Sequence, residues 1–231
     1  MPEIVSFLSS GSMASGYLSR PKGTVQGPAV LVIQEWWGLD SGIKEMANRL
    51  AAAGFVALAP DLYRGELAHH TEMDRAAELM KNLPPERAGR DMSSAIDFLL
   101  SHHAVTSKTV GVVGFCMGGL LSWIIACNRP DKVTAVVPFY GFPQGADEPD
   151  WSKLNATVRG HMAEHDDYFP PDKAKALEAK LQAMGKDVTL TVHPGTGHAF
   201  MGPHNALGTL DAELAERIWP EVTAFLKENV R

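Results

Sequence analysis

Apolar and polar positions along the chain follow two periods. Ala29-Val30-Leu31-Val32-Ile33 and Phe55-Val56-Ala57-Leu58-Ala59 are apolar at every position, as strands covered on both faces require. Similar runs at Val110–Phe115, Val133–Phe139, Ala156–Met162 and Val188–Val192 predict further strands. Between the first two runs, Ile43, Met46, Ala47, Leu50 and Ala51 take the spacing of a helix stripe, with Asp40 or Ser41 as cap and Gly54 as left-handed stop. Helices are predicted over 85–103, 117–127, 172–184 and 211–229, the last bent where Pro220 removes a backbone donor. Ile4–Leu8 and Ser15–Leu18 predict an antiparallel pair at the sheet edge. Residues 64–83 carry apolar Met73, Leu79 and Met80 with weak periodicity and suit either a lid or a surface helix. The alternation of buried strands and amphipathic helices predicts an α/β fold, with a mostly parallel central sheet of about eight strands, helices on both faces, and one domain over 1–231.

Composition narrows the function. With 45% hydrophobic and 21% charged residues in 231, the chain is globular and not intrinsically disordered. A net charge of −6 without a Lys/Arg cluster argues against nucleic acid or an acidic membrane surface as partner. No leader segment is read at Met1–Val5, and no apolar stretch is long enough to span a bilayer. Two cysteines, Cys116 and Cys127, without CxxC spacing fit a reducing compartment, and a cytoplasmic monomer is the expectation. Nine histidines invite a metal, yet there is no HExxH, and the pairs His69-His70 and His102-His103 point apart. Most are read as surface histidines, and no metal or cofactor is expected.

Reactive side chains stand where the predicted strands end, which is where open α/β sheets bind ligands. Gly114-Phe115-Cys116-Met117-Gly118 has the spacing of a nucleophile elbow with cysteine in place of serine. Glycines are needed there because the strand-to-helix turn is tight. The turn also sets the sulfur at a helix N-terminus, which favours thiolate, and aims the Met117 amide at an oxyanion. A buried structural cysteine is the bland alternative. His198 follows the last strand in Gly197-His198-Ala199-Phe200, in the chain order a general base requires, whereas His193 within the strand is read as structural. Between them, Asp166 or Asp167 can orient that histidine, or merely cap the next helix. Glu35, ending the most apolar strand, must find a partner: an Arg or Lys elsewhere in the chain, or the Cys116 thiol as a second acid–base group. The Trp36 amide beside it is a candidate second oxyanion donor.

Together Gln34-Glu35 with Gly38, Pro60-Asp61-Leu62-Tyr63, the Cys116 elbow, Asp166-x-x-Phe169-Pro170 and Gly197-His198-Ala199-Phe200 resemble the dienelactone hydrolase family of α/β-hydrolases (carboxymethylenebutenolidases). The resemblance runs from about Val30 onward. It implies a Cys116–His198–Asp166 triad, a Glu35 that hydrogen-bonds the resting thiol and helps generate thiolate, and a thioester acyl-enzyme formed from a small ester or lactone. It requires no cofactor, and it places Trp37, Tyr63, Arg64 and Phe200 against the substrate. The chain departs from the family in its carboxylate-binding arginines: Met201-Gly202-Pro203 and Glu72-Met73-Asp74-Arg75 occupy those stretches, leaving Arg64 or Arg75 as substitutes. Rival readings are a thioesterase or other acyl hydrolase, and a silent ligand-binding protein on the same fold.

Overall fold

In the computed structural model, which describes all residues except Met1, Thr24 and Pro203, eight strands form one sheet in the order β1-β2-β4-β3-β5-β6-β7-β8. The strands are β1 (Glu3–Ser9), β2 (Ser12–Ser19), β3 (Gly27–Ile33), β4 (Val56–Pro60), β5 (Val105–Phe115), β6 (Val133–Phe139), β7 (Thr157–His165) and β8 (Val188–Gly197). β1 and β2 form the expected antiparallel hairpin, and β2 pairs antiparallel with β4; every pairing from β4 through β8 is parallel.

Period-two burial sorts the strands between two cores. In β3, Ala29, Leu31 and Ile33 face one side, and Val30 and Val32 the other. The first side is covered by α2 (Met73–Lys81), α3 (Pro85–Ser101), α4 (Met117–Asn128) and α5 (Pro171–Ala183). The second is covered by α1 (Ser41–Ala52) and α6 (Ala212–Asn229). Asp40 is the α1 cap, its carboxylate accepting from the Ile43 amide at 2.9 Å. Gly54, at φ +100°, makes the left-handed stop. Within 64–83, α2 is a surface helix that buries only Ala76 and Leu79, which is why its periodicity reads weakly. Pro220 sits inside α6. No helix among the described residues is long and apolar enough to cross a membrane.

Candidate active site

Strand register assembles the site. Ile33 of β3 pairs with Gly114 of β5, so Glu35 and Cys116, two residues further along each strand's exit, emerge side by side. His165 of β7 pairs with Gly197 of β8, so the very next residues, Asp166 and His198, do the same. The Asp166 Oδ2 lies 2.8 Å from His198 Nδ1. Its Oδ1 accepts from the Tyr168 and Phe169 amides, both at 2.9 Å, which locks the carboxylate's orientation. Both side chains are buried, whereas Asp167 is exposed and makes no contact with the imidazole. Phe169 stacks on the His198 ring at 5.8 Å, and Tyr140 meets it edge-on at 5.1 Å.

Cys116 occupies a strained turn with φ +53°, ψ −116° between β5 and α4. The surrounding glycines are sterically required: a Cβ on Gly114 would lie 2.0 Å from the Gly118 carbonyl oxygen, and one on Gly118 would lie 2.3 Å from that of Ile33. Backbone strain gathers around this end of the sheet. Of the five described non-glycine residues at positive φ, Cys116, Arg64, Tyr140 and Ala199 all sit at strand exits there. The Met117 amide, free at the first turn of α4, faces the sulfur. Burial pushes the Cys116 thiol well up, and the nearby charges of Glu35 and Asp166 add to it, while Met117 opposes them. The resting group is therefore a thiol: the helix terminus favours thiolate, as expected, but burial outweighs it.

A cavity of about 380 Å³ opens over Cys116 and His198, lined by apolar side chains including Trp36, Met117, Leu120, Phe142 and Phe169. Met80 of α2 also lines it, and Asp147 is its one carboxylate among the described lining residues. No Lys or Arg lines it among the described residues. Four side chains expected against substrate stand elsewhere. Trp37 is buried, packed on Trp36, His70 and His204. Tyr63 is buried behind Met117, its hydroxyl 3.4 Å from the thioether sulfur. Arg64 is committed to Asp91, with both carboxylate oxygens within 3.0 Å of one guanidinium nitrogen. Phe200 is wholly buried against Tyr140 and His193 in the second core. In each case a large apolar or charged side chain found its partner inside the wall. Arg75 likewise pairs with Glu66 and Glu78 on the surface, and Pro203 lies outside the described residues.

Glu35 is also corrected. Its hydrogen-bond partner is His204, Nε2 to Oε2 at 2.7 Å, rather than the Cys116 thiol. His204 follows the strand-exit loop by several residues and has no local motif. The Tyr140 hydroxyl, buried among Glu35, Cys116 and Asp166, was equally invisible to spacing. Most histidines, moreover, are not on the surface: only His69, His103 and His165 are exposed, because the others stack or pair as His161 and His193 do at 3.0 Å. No group of three or more metal-ligating side chains occurs among the described residues.

An elbow at the end of a central parallel strand, sharing a cavity with a buried Asp–His pair from the exits of β7 and β8, defines an α/β-hydrolase. The chain belongs to the dienelactone hydrolase family, whose model matches residues 14–230. It is similar, at 36% identity over 99% of both chains, to "Protein usf" of Aquifex pyrophilus. It is 34% identical over the full length of both chains to a "Putative carboxymethylenebutenolidase" of Aquifex aeolicus. Among solved structures, a "Putative Dienelactone Hydrolase" from Klebsiella pneumoniae superposes with a TM-score of 0.83 at 26% identity, covering 98% of each chain. The protein is thus a hydrolase of the dienelactone hydrolase type.

Proposed function

We propose that this protein hydrolyses small, uncharged carboxylic esters or lactones, with Cys116 as nucleophile, His198 as general base and Asp166 as the acid that orients it. The observation that carries the reading is the meeting, in one apolar cavity, of a strained-turn cysteine and a histidine whose Nδ1 is engaged by a buried carboxylate at 2.8 Å. With Nδ1 occupied, Nε2 is the nitrogen available to the thiol. The Cys116 sulfur attacks the substrate carbonyl as its proton passes to Nε2, and the carbonyl electron pair moves onto oxygen. The Met117 and Trp36 amides are assigned to stabilise that oxyanion. Collapse expels the alkoxide, which takes the proton from His198, and leaves a thioester on Cys116. Water, deprotonated by His198, then attacks the thioester; the acid leaves, and the proton returns to the thiol.

Thiol burial fits this order, because a thiol that ionises only when its base and substrate are in place is protected from idle reaction. The cavity's apolar walls and single carboxylate favour a neutral acyl group. The same reading assigns the chain one working domain, 1–231, acting in a reducing compartment such as the cytoplasm, where Cys116 stays reduced. The test is p-nitrophenyl acetate hydrolysis by the wild type and Cys116→Ala. Turnover that falls by on the order of 10³ or more in the variant supports the reading, and near-wild-type turnover overturns it.

A further inference from the structure

Glu35 is almost wholly buried beside the elbow, and what holds it is an imidazole from the loop between β8 and α6. His204 Nε2 donates to Glu35 Oε2 at 2.7 Å, and the two side chains are only 9% and 3% exposed. A second imidazole lies against the first. His70, in the segment before α2, has its ring centroid 3.8 Å from that of His204, with the planes tilted by 39°. His70 Nε2 is 2.8 Å from Oδ2 of Asp40, the residue whose other oxygen caps α1. Trp37 meets both rings edge-on, at 5.2 and 6.0 Å. Two carboxylates therefore bracket two adjoining imidazoles, and one of those carboxylates faces Cys116.

The charge state of this cluster matters to Cys116. Glu35 lies close enough for its charge to oppose a thiolate there. Burial by itself would strip a proton from His204, but the hydrogen bond and charge of Glu35, together with the charge of Asp40, outweigh it and raise the imidazole above its ordinary value. The Ala206 amide donates to His204 Nδ1 at 3.2 Å, which suits the neutral ring. That amide is exposed, so on protonation it can turn to water at little cost. Nε2 donates to Glu35 in both states, and only the charge changes. The groups that face the pair are Asp40 and His70 on the His204 side, and Cys116 and Tyr140 on the Glu35 side.

We propose that His204 is a positioning residue for the thiol chemistry: as imidazolium it pins Glu35 and compensates its charge, so that a thiolate forms at Cys116 without a bare carboxylate beside it. The inference rests on the reading of Cys116 as nucleophile. The thiol proton passes to His198, while the His204 proton stays on Nδ1 and exchanges with solvent between turnovers. As pH rises through the titration of His204, compensation lapses and acylation slows. The alkaline limb of the kcat/KM profile accordingly belongs to His204.

The experiment follows site-resolved alkylation of Cys116 by iodoacetamide, and kcat/KM for p-nitrophenyl acetate, from about pH 5.5 to about pH 9.5 in wild type, His204→Gln and His204→Arg. Gln keeps a donor without the charge, and Arg keeps the charge at every pH. His204→Gln should alkylate roughly tenfold more slowly near neutrality, the effect of about one pKa unit on the thiol. His204→Arg should return both rates to within about threefold of wild type and carry the alkaline limb out of the measured range. A folded His204→Gln with wild-type alkylation and an unmoved alkaline limb overturns the proposal. Should the Gln variant not fold, an alkaline limb left in place by His204→Arg overturns it equally. Absence of ester turnover in the wild type, with alkylation still dependent on His204, would sink the hydrolase reading and support the coupling.

Discussion

Cys116 and Cys127 sit at opposite ends of α4, yet their surroundings set them apart. Cys127 is packed in the first core, and burial pushes its thiol up to about 11. Cys116 opens onto the cavity. The same contrast separates the adjacent acids. Asp166 accepts three hydrogen bonds, from two amides and an imidazole, whereas Asp167 projects outward. Asp166→Asn preserves the shape but removes the charge that steadies an imidazolium, so kcat/KM should fall by roughly 10²–10⁴ while Asp167→Asn stays within about twofold of wild type. Steady-state kinetics on both variants check this, and the reverse ranking would move the role to Asp167. Spacing alone left the two acids equivalent, because one residue's shift at a strand exit reverses which way a side chain points.

At the scale of elements, the elbow depends on backbones that touch. β5, α4 and the exit of β3 approach so closely that Gly118 has no room for a methyl group: the added carbon would meet the carbonyls of Ile33 and Gln34 at 2.3 and 2.6 Å. Gly118→Ala should cost about 2–4 kcal/mol and abolish thiol reactivity, since β3 and α4 must separate. Gly145→Ala, at φ +59° with nothing within 4 Å, should cost only about 1 kcal/mol of backbone strain. Thermal unfolding of the two variants measures the difference. The buried strands were legible because runs such as Val110–Phe115 are apolar at every position. The extension of β5 back to Val105 was not, since Thr106 to Thr109 alternate exposed and half-buried positions and read as a loop. Nor was the continuation of β8 through Pro194 and Gly195, where turn-forming residues join a parallel edge. The elbow around Cys116 and the strand-exit loop carrying His198, which the proposed mechanism uses, were readable from glycine spacing. Which aromatics line the cavity was not, because Trp37, Tyr63 and Phe200 differ from Trp36 and Phe169 only in which way they turn into the protein.

For the whole molecule, one contribution to acid stability comes from a histidine outside the proposed triad. His161, in the middle of β7, stacks on Phe139 at 5.0 Å and shares a hydrogen bond with His193. Burial first, then the neighbouring His193, holds its pKa down to about 3, against 6.5 for a free histidine. Between those values the unfolded chain binds a proton that the folded chain refuses. The associated stability is full above about 6.5 and is lost as pH falls toward 3. Urea unfolding at about pH 7 and about pH 4.5 should show a loss on the order of a few kcal/mol, and His161→Phe should flatten that slope. The cavity makes a second global prediction. With no Lys or Arg among its described lining residues, matched neutral and carboxylate-bearing lactones should differ in kcat/KM by at least about tenfold in favour of the neutral one. A preference for the anion would mean that a cation enters from outside the walls seen here.

The pairing of Gly197 with His165, and of Gly114 with Ile33, has one more consequence, for the order in which the protein is made. The ribosome delivers Cys116 while Asp166 and His198 are still untranslated. β8, the strand that brings His198 into place, is the outermost of the parallel set, and it docks only on a finished β7. On the proposed mechanism, a nascent chain that stops short of β8 holds its nucleophile without a base, as an inert thiol. Hydrolysis therefore switches on at the last step of sheet assembly, and truncated or stalled chains do no chemistry on the cell's esters.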